Sequence, residues 1–287
     1  MGFQDLKIVC VIFVLSAFVG QLAVAAEITG TKDDYHLFNP TPKNLMRGLN
    51  TDRPDKTESP YSVDAGHFQF ETDIVTNTVS KQGGVTTRTY GININNLKLG
   101  LTNNTDLQLV IANYVVQKTN DNGNKSSERG IGETLVRYKV NLMGNDGGPV
   151  AFGVMPFVKL PTNKKELGNQ NVEGGLIFPA AIELPKDWSL GLMYQANYDR
   201  NSSDDGYHIS NIMTITAGHS IVGDLSGYTE LYTESSGDQN DKQNIVTFDT
   251  GLTYALEENW QLDGGVNWGI TQDADDFQPF LGLSALF

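Results

Sequence analysis

The sequence predicts an all-β protein, a transmembrane antiparallel up-and-down β-barrel of about twelve strands with short periplasmic turns and longer extracellular loops. Three observations carry this reading. Apolar and polar residues alternate over stretches of about ten residues, aromatic side chains collect at the ends of those stretches, and short and long connections take turns along the chain.

The alternation is cleanest at the C-terminal end. There Phe277, Pro279, Leu281, Leu283, Ala285 and Phe287 share one face, and Gln278, Gly282 and Ser284 share the other. Trp260, Leu262, Val266, Trp268 and Ile270 oppose Gln261, Asp263, Gly265, Asn267 and Thr271 in the same way. Similar stretches run from Trp188 to Asp199, Val246 to Leu256, Val150 to Leu160 and Glu133 to Leu142. A soluble sandwich also alternates, but its strands average about 5 or 6 residues, whereas a tilted bilayer crossing needs about 9 to 11. Trp188, Trp260 and Phe287 fall at one level, and Tyr90, Tyr198, Tyr207, Trp268 and Phe277 at the other, as two aromatic girdles would.

Short turns are expected at Thr102–Thr105, Gly144–Gly148, Leu184–Asp187, Val222–Asp224 and Glu257–Asn259, each rich in residues that tolerate turn geometry. Longer polar connections are expected at Ser80–Thr87, Thr119–Arg129, Pro161–Asn169, Arg200–Gly206, Ser235–Lys242 and Gln272–Asp276. An even strand number leaves both ends of the barrel on the periplasmic side. Two strands are irregular. From Arg88 to Leu101 the apolar face changes phase near Asn95-Asn96, which predicts a β-bulge there. Leu107 to Val116 is apolar on both faces, which predicts packing against something inside the barrel.

Ahead of the strands stand two other kinds of sequence. Residues 1–25 have a short charged head ending at Lys7, an apolar run from Ile8 to Val19 and small residues up to Ala25-Ala26, the pattern of a secretory signal. That run is shorter than the roughly 20 residues of a spanning helix. The sole cysteine, Cys10, lies within it, so the exported chain has no thiol for disulfides, nucleophilic catalysis or metal binding. The net charge of -14 argues against nucleic acid as a partner. Residues 26–62 are polar and hold Pro40, Pro42, Pro54 and Pro60, which excludes a run of central strands. Residues 26–62 are expected to be either a disordered periplasmic tail or a plug: the cluster from Thr51 to Glu58 immediately precedes the barrel, residues 63–287, and is placed to fold into the lumen, with Asp52, Arg53 and Asp55 as the candidate plug residues.

On the polar, inward face, Glu133, Arg137, Lys139 and Lys159 stand on earlier strands and Glu230, Glu234, Asp249 and Asp263 on later ones. Such an arrangement predicts basic and acidic walls facing each other across a lumen, where they would set selectivity. The pair His208 and Ser210 shares a face and has the residue types of a base and a nucleophile. It points inward, away from lipid, and no suitable third residue follows, so acyl hydrolysis ranks last. His67 and His219 are isolated from other ligand types, and the glycines match no phosphate loop, so neither a metal nor a cofactor is expected.

Several words of the sequence resemble one known family. They are Thr51-Asp-Arg-Pro-Asp55, Gly66-His-Phe-Gln69, Arg129-Gly-Ile-Gly-Glu133, Met155-Pro-Phe-Val-Lys-Leu-Pro161, Val172-Glu-Gly-Gly-Leu176, Trp188-Ser-Leu-Gly191 and Gly251-Leu-Thr-Tyr254. In this order they are similar to the transporter-like outer-membrane family labelled "putative MetA-pathway of phenol degradation". The resemblance implies an outer-membrane barrel that moves small molecules, aromatic compounds in some members.

The function expected is therefore a porin-like channel or transporter of the outer membrane, not an enzyme, for passive or facilitated diffusion of small solutes, hydrophobic or aromatic ones among them. The alternative is a plugged structural or adhesive barrel. Expected partners are the outer-membrane lipids, the small solute, and the barrel assembly machinery, which the terminal aromatic Phe287 resembles a signal for.

Overall fold

The computed structural model describes residues 31–168, 170–201, 206–237 and 242–287; the predicted signal segment, with Cys10, lies outside the described residues. Its strands are β1 (Phe68–Gln82), β2 (Val85–Thr102), β3 (Thr105–Asp121), β4 (Asn124–Gly130), β5 (Thr134–Met143), β6 (Val150–Leu160) and β7 (Glu173–Leu184). They continue as β8 (Trp188–Arg200), β9 (Tyr207–Val222), β10 (Leu225–Ser236), β11 (Gln243–Glu257), β12 (Trp260–Gly269) and β13 (Phe277–Leu286). Strands β4 and β5 both pair with β3, at different heights, so they are two halves of one stave. The result is a closed barrel of twelve antiparallel staves. Closure runs through β1 and β13, from Gln69 opposite Leu286 to Val79 opposite Phe277; β4 alone, paired only with β3, keeps an edge without a partner strand among the described residues.

The barrel is turned inside out relative to a soluble fold. Lys98, Lys139, Glu71, Glu230, Asp106 and Asp249 are fully buried, while Leu142, Met213, Tyr198 and Leu252 are exposed. An apolar belt facing outward and a polar interior are what a bilayer solvent selects. The aromatic levels follow the expectation. At the short-turn end Phe287 lies against Phe68 and Trp260, and at the other end Tyr198 stacks on Tyr207 and Trp268 packs beside Phe277. Backbone hydrogen bonds between Phe68 and Phe287 at 2.8 and 3.2 Å bring the last residue into the closing seam.

Two expectations about this half of the barrel need correction. The polar stretches Ser80–Thr87 and Thr119–Arg129 are not long loops. They are strand ends joined by two-residue turns at Gly83-Gly84 and Asn122-Gly123, all four residues at positive φ, which matches the right-handed twist of a hairpin. Their polarity belongs to regular hairpin strands that run on past the apolar belt, not to irregular backbone. The second correction concerns phase. The register shift lies in β1, between Asp73 and Val75, and Asn93 in β2 takes a left-handed φ of 51°. No shift occurs at Asn95-Asn96.

These irregular residues line up. Ile74, Asn93 and Asn113 drop out of the pairing at one level, and the break between β4 and β5 at residues 131–133 continues the line. A crease therefore crosses four neighbouring staves. Below it Leu97, Leu99, Leu107 and Leu109 face lipid; above it Val75, Ile92 and Tyr114 do, on the opposite parity. The two apolar faces read in Leu107–Val116 are this change of phase, not interior packing.

Before β1, residues 32–67 hold two short 3-10 turns, Lys32–Asp34 and Lys43–Leu45. Gly100 in β2 lets this stretch pass close by: a Cβ there would sit 1.9 Å from the Asp64 carbonyl oxygen. At the short-turn end Lys32 and Arg47 each reach both Asp64 and Asp146, at 2.7 to 3.1 Å. Partial burial pushes the Asp146 carboxyl up, but hydrogen bonds from Lys32, Asn103 and Arg47 outweigh it and hold the group at about 2, below the ordinary 3.8. A lowered folded value means that the clasp stands at full strength above the unfolded value and is lost as pH falls through about 2. Pepsin digestion of the membrane-embedded protein should begin to cut residues 32–47 only as the pH nears about 2. Asp146→Asn should be cut from the upper end of the same pH range.

Candidate functional site: a charged segment across the lumen

Residues Asp52 to Glu58 read acid, base, proline, acid, base, threonine, acid. This alternation is matched by the wall. Asp52 accepts from Lys139 Nζ at 2.7 Å and from Lys98 Nζ at 2.5 Å, and its backbone N–H donates to the Glu71 carboxylate. Glu58 accepts from Arg137 at 2.6 Å. On the far side Arg53 makes a two-pronged contact with Asp263, at 2.7 and 3.2 Å, and reaches Asp73 at 2.5 Å. Lys56 lies 3.1 Å from Asp249, 2.9 Å from the Thr247 hydroxyl and 4.4 Å above the Tyr232 ring. Thr57 donates to Glu230 and shares hydrogen bonds with Thr214 and Thr216. These partners stand on β1, β2, β5 and β9 to β12, so the segment crosses the lumen from wall to wall.

Of the residues expected to line the lumen, Arg137, Lys139, Glu230, Asp249 and Asp263 thus meet residues 52–58. The basic and acidic walls do not face each other across open space. Lys159 instead pairs with Glu133 and Glu173 near the long-loop end, and Glu234 accepts from the Tyr232 hydroxyl at 2.6 Å. Asp55 lies near Glu230, Glu58 and Thr216, on the cavity below the segment. Sequence reasoning missed Lys98, Glu71 and Asp73 as partners. Gln69, Glu71 and Asp73 alternate with Phe68 and Phe70 along β1, a signal that was available; Lys98 was masked by the crease in β2.

Fit is tight on the wall side. A Cβ on Gly282 would lie 2.1 Å from the Arg53 guanidinium, so this glycine makes the seat for the arginine. Above the segment remains a cavity of about 300 Å³ floored by Lys56 and lined by Tyr232, Glu234 and Asp273. Below it remains one of about 500 Å³ lined by Pro54, Glu58, Tyr61, Gly191 and Tyr228. Part of the inner wall is apolar: Met155, Ile177, Met193 and Ile212 are buried together on β6 to β9, with Phe157 and Tyr232 packed against them. The Glu58 N–H meets the Met193 sulfur at 3.4 Å, which brings the segment against this patch.

His208 and Ser210 belong to separate networks. Ser210 donates to Asp199, while His208 contacts Asn201 through Nδ1 and accepts the Gly237 N–H at Nε2. His67 ties the Thr41 and Phe287 carbonyls, and His219 stacks on Trp188. Among the described residues no group of His, Cys, Asp and Glu has the arrangement of a metal site.

Lys98 and Lys139 are buried with Asp52 as a shared partner. Asp52→Ala removes the one carboxylate that both buried ammonium groups contact, leaves Lys139 without its ion pair, and should cost about 3 to 5 kcal/mol of barrel stability. Lys98→Met and Lys139→Met in the same chain should recover most of it, read from denaturant unfolding followed by the heat-modifiable gel shift. Gly282→Val should act on the opposite wall by expelling Arg53.

Comparison with known proteins adds to this geometry. The outer membrane channel COG4313 from Pseudomonas putida F1 superimposes with a TM-score of 0.62 at 14% identity, covering 83% of this chain and 100% of that chain. The β domain of the Bordetella autotransporter BrkA gives a TM-score of 0.51 at 12% identity, over 77% of this chain and 99% of that one. At such identities the likeness establishes a shared β-barrel fold. A search of curated proteins finds no match. The family model described as "Putative MetA-pathway of phenol degradation" matches residues 51–287, from the lumen-crossing segment to the terminal phenylalanine, and the chain belongs to that family.

Proposed function

We propose that the protein is an outer-membrane channel for the diffusion of small solutes with apolar or aromatic character, with residues 52–58 as a plug that sets what passes. The observation that carries this reading is the apolar patch of Met155, Ile177, Met193 and Ile212, bordered by Phe157 and Tyr232, on the inner wall. A lumen meant only for ions and sugars has no use for buried methionines and isoleucines, whose exposure to water is costly. The patch is closed while the plug is seated, and displacement of the plug, which meets Met193 through the Glu58 N–H, gives an apolar solute a surface on which to shed its hydration. Family membership and the barrel fold of the Pseudomonas putida channel support the same reading.

A permanently sealed barrel is the second reading, and the ion-pair network around Asp52 and Arg53 favours it. Motion of the plug separates the two. The only native cysteine is Cys10, in the predicted signal segment, so Thr57→Cys with Thr214→Cys, whose hydroxyls lie 2.6 Å apart, can lock the plug to β9 on oxidation. In proteoliposomes the reduced double variant should admit a small aromatic solute such as a phenol faster than protein-free vesicles do, and the oxidised form should lose most of that flux. Equal flux in both forms contradicts a mobile plug, and no flux from the native protein supports the sealed barrel.

A further inference from the structure

Above the crease, the upper halves of β1, β2 and β3, together with β4, form a four-stranded lobe at the long-loop end. Register places its side chains in rows across the sheet. Asn77, Tyr90, Val116 and Arg129 make one row; Val79, Arg88, Lys118 and Ser127 the next; Lys81, Thr86, Asn120 and Lys125 the last. The parity of the exposed Val75, Ile92 and Tyr114 puts all three rows on the outside of the barrel, directly above the apolar belt.

The lobe's outer face therefore carries Lys81, Arg88, Lys118, Lys125 and Arg129, all exposed, with no acidic residue in its rows. None of these five makes a salt bridge among the described residues. The opposite parity of the same strands holds Glu128 and Asp121 and no basic residue. In a chain of net charge -14 this segregation is strong. Arg88 and Lys118 stand directly opposite each other, about 5 Å apart between strands, a like-charge pairing that costs free energy unless an anion lies over it. Lys118 also lies 5.3 Å from the Tyr90 ring, so an aromatic collar joins the cations to the lipid-facing belt beneath.

We infer that this face is a binding surface for the phosphorylated headgroups of outer-leaflet lipid, the phosphate-bearing sugar of a lipid A type glycolipid, whose acyl chains lie along Val75, Ile92 and Tyr114. Two constraints fix the occupant. The cations sit at the height where lipid phosphates begin, and the apolar surface below is continuous with them, so the ligand has an anionic head and an apolar tail. A soluble anion satisfies the first constraint alone.

The test uses the purified full chain in neutral detergent, titrated with diphosphoryl lipid A, with the same glycolipid lacking its phosphates, or with inorganic phosphate, and read by intrinsic fluorescence and by the thermal midpoint of the gel shift. Diphosphoryl lipid A should bind and raise the midpoint. The triple variant Arg88→Gln, Lys118→Gln, Arg129→Gln should lose about fivefold in affinity for each cation removed. Lys164→Gln, a loop lysine paired with Glu128, should bind as the native chain does. Equal affinity of the triple variant, or equal binding of the phosphate-free lipid, overturns the inference. Binding of inorganic phosphate alone with the same midpoint shift makes the surface a simple anion site and overturns it too. All three substituted side chains are exposed and outside the plug network, so solute flux serves as a folding control.

Discussion

Asp52 is held between Lys98 and Lys139 in the interior of the barrel and is the one carboxylate that both ammonium groups contact, beside the wall's own acids Glu71 on β1 and Asp106, opposite Lys139, on β3. Glu71 contacts Lys98 but also receives the Asp52 N–H and the Gln69 amide, so its capacity is shared. Burying an ion pair is not by itself a source of stability, because desolvation cancels much of the attraction. What it supplies is register. Sliding the segment by one residue in one direction would set Arg53 against two lysines, and in the other would set Asp52 against Asp263; either way charges would be buried without a partner. The alternation of sign works on the lumen as side-chain alternation works on a strand, in that this placement sets Asp52, Arg53, Lys56 and Glu58 each against opposite charge, with Asp55 alone beside other acids.

The outer surface follows from the opposite constraint. A bilayer accepts apolar side chains and closed hydrogen bonding, so the outside is greasy where lipid lies and charged only above it. The crease through Ile74, Asn93, Asn113 and residues 131–133 marks where these staves change parity, and with it which residues meet the lumen. Below it Lys98 points to Asp52 in the lumen. Above it Arg88 points to the outside. One phase change thus lets a single strand serve two environments.

Much of this was legible in the sequence and part was not, for identifiable reasons. Staves β5 to β13 have clean alternation, and their polar parity correctly placed Arg137, Lys139, Glu230, Asp249 and Asp263 inside. The stretch Asp52 to Asp55 could be proposed as lumen-directed from its charges and its place before the first strand, but nothing local in it separates a plug from a periplasmic tail. Pairing could not be recognised, since it depends on which staves come close across the barrel, and no local pattern encodes that. The hairpins at Gly83-Gly84 and Asn122-Gly123 were hidden by polar strands beyond the bilayer, where hydrophobic alternation has nothing to select it. The crease was visible as a fault in β2, but its correct position required the neighbouring strands.

The central claim is that charge complementarity between Arg53 and the acidic wall, like that between Asp52 and the basic one, fixes the segment in the lumen. A double-mutant cycle on Arg53 and Asp263, with Arg53→Met, Asp263→Leu and the pair, measures it directly by denaturant unfolding of the folded barrel. A buried two-pronged pair predicts that the double variant is more stable than the sum of the single effects implies, with a coupling of about 2 kcal/mol or more. Additive losses would mean that the two groups do not depend on each other, and the segment would then owe its place to something other than its charges.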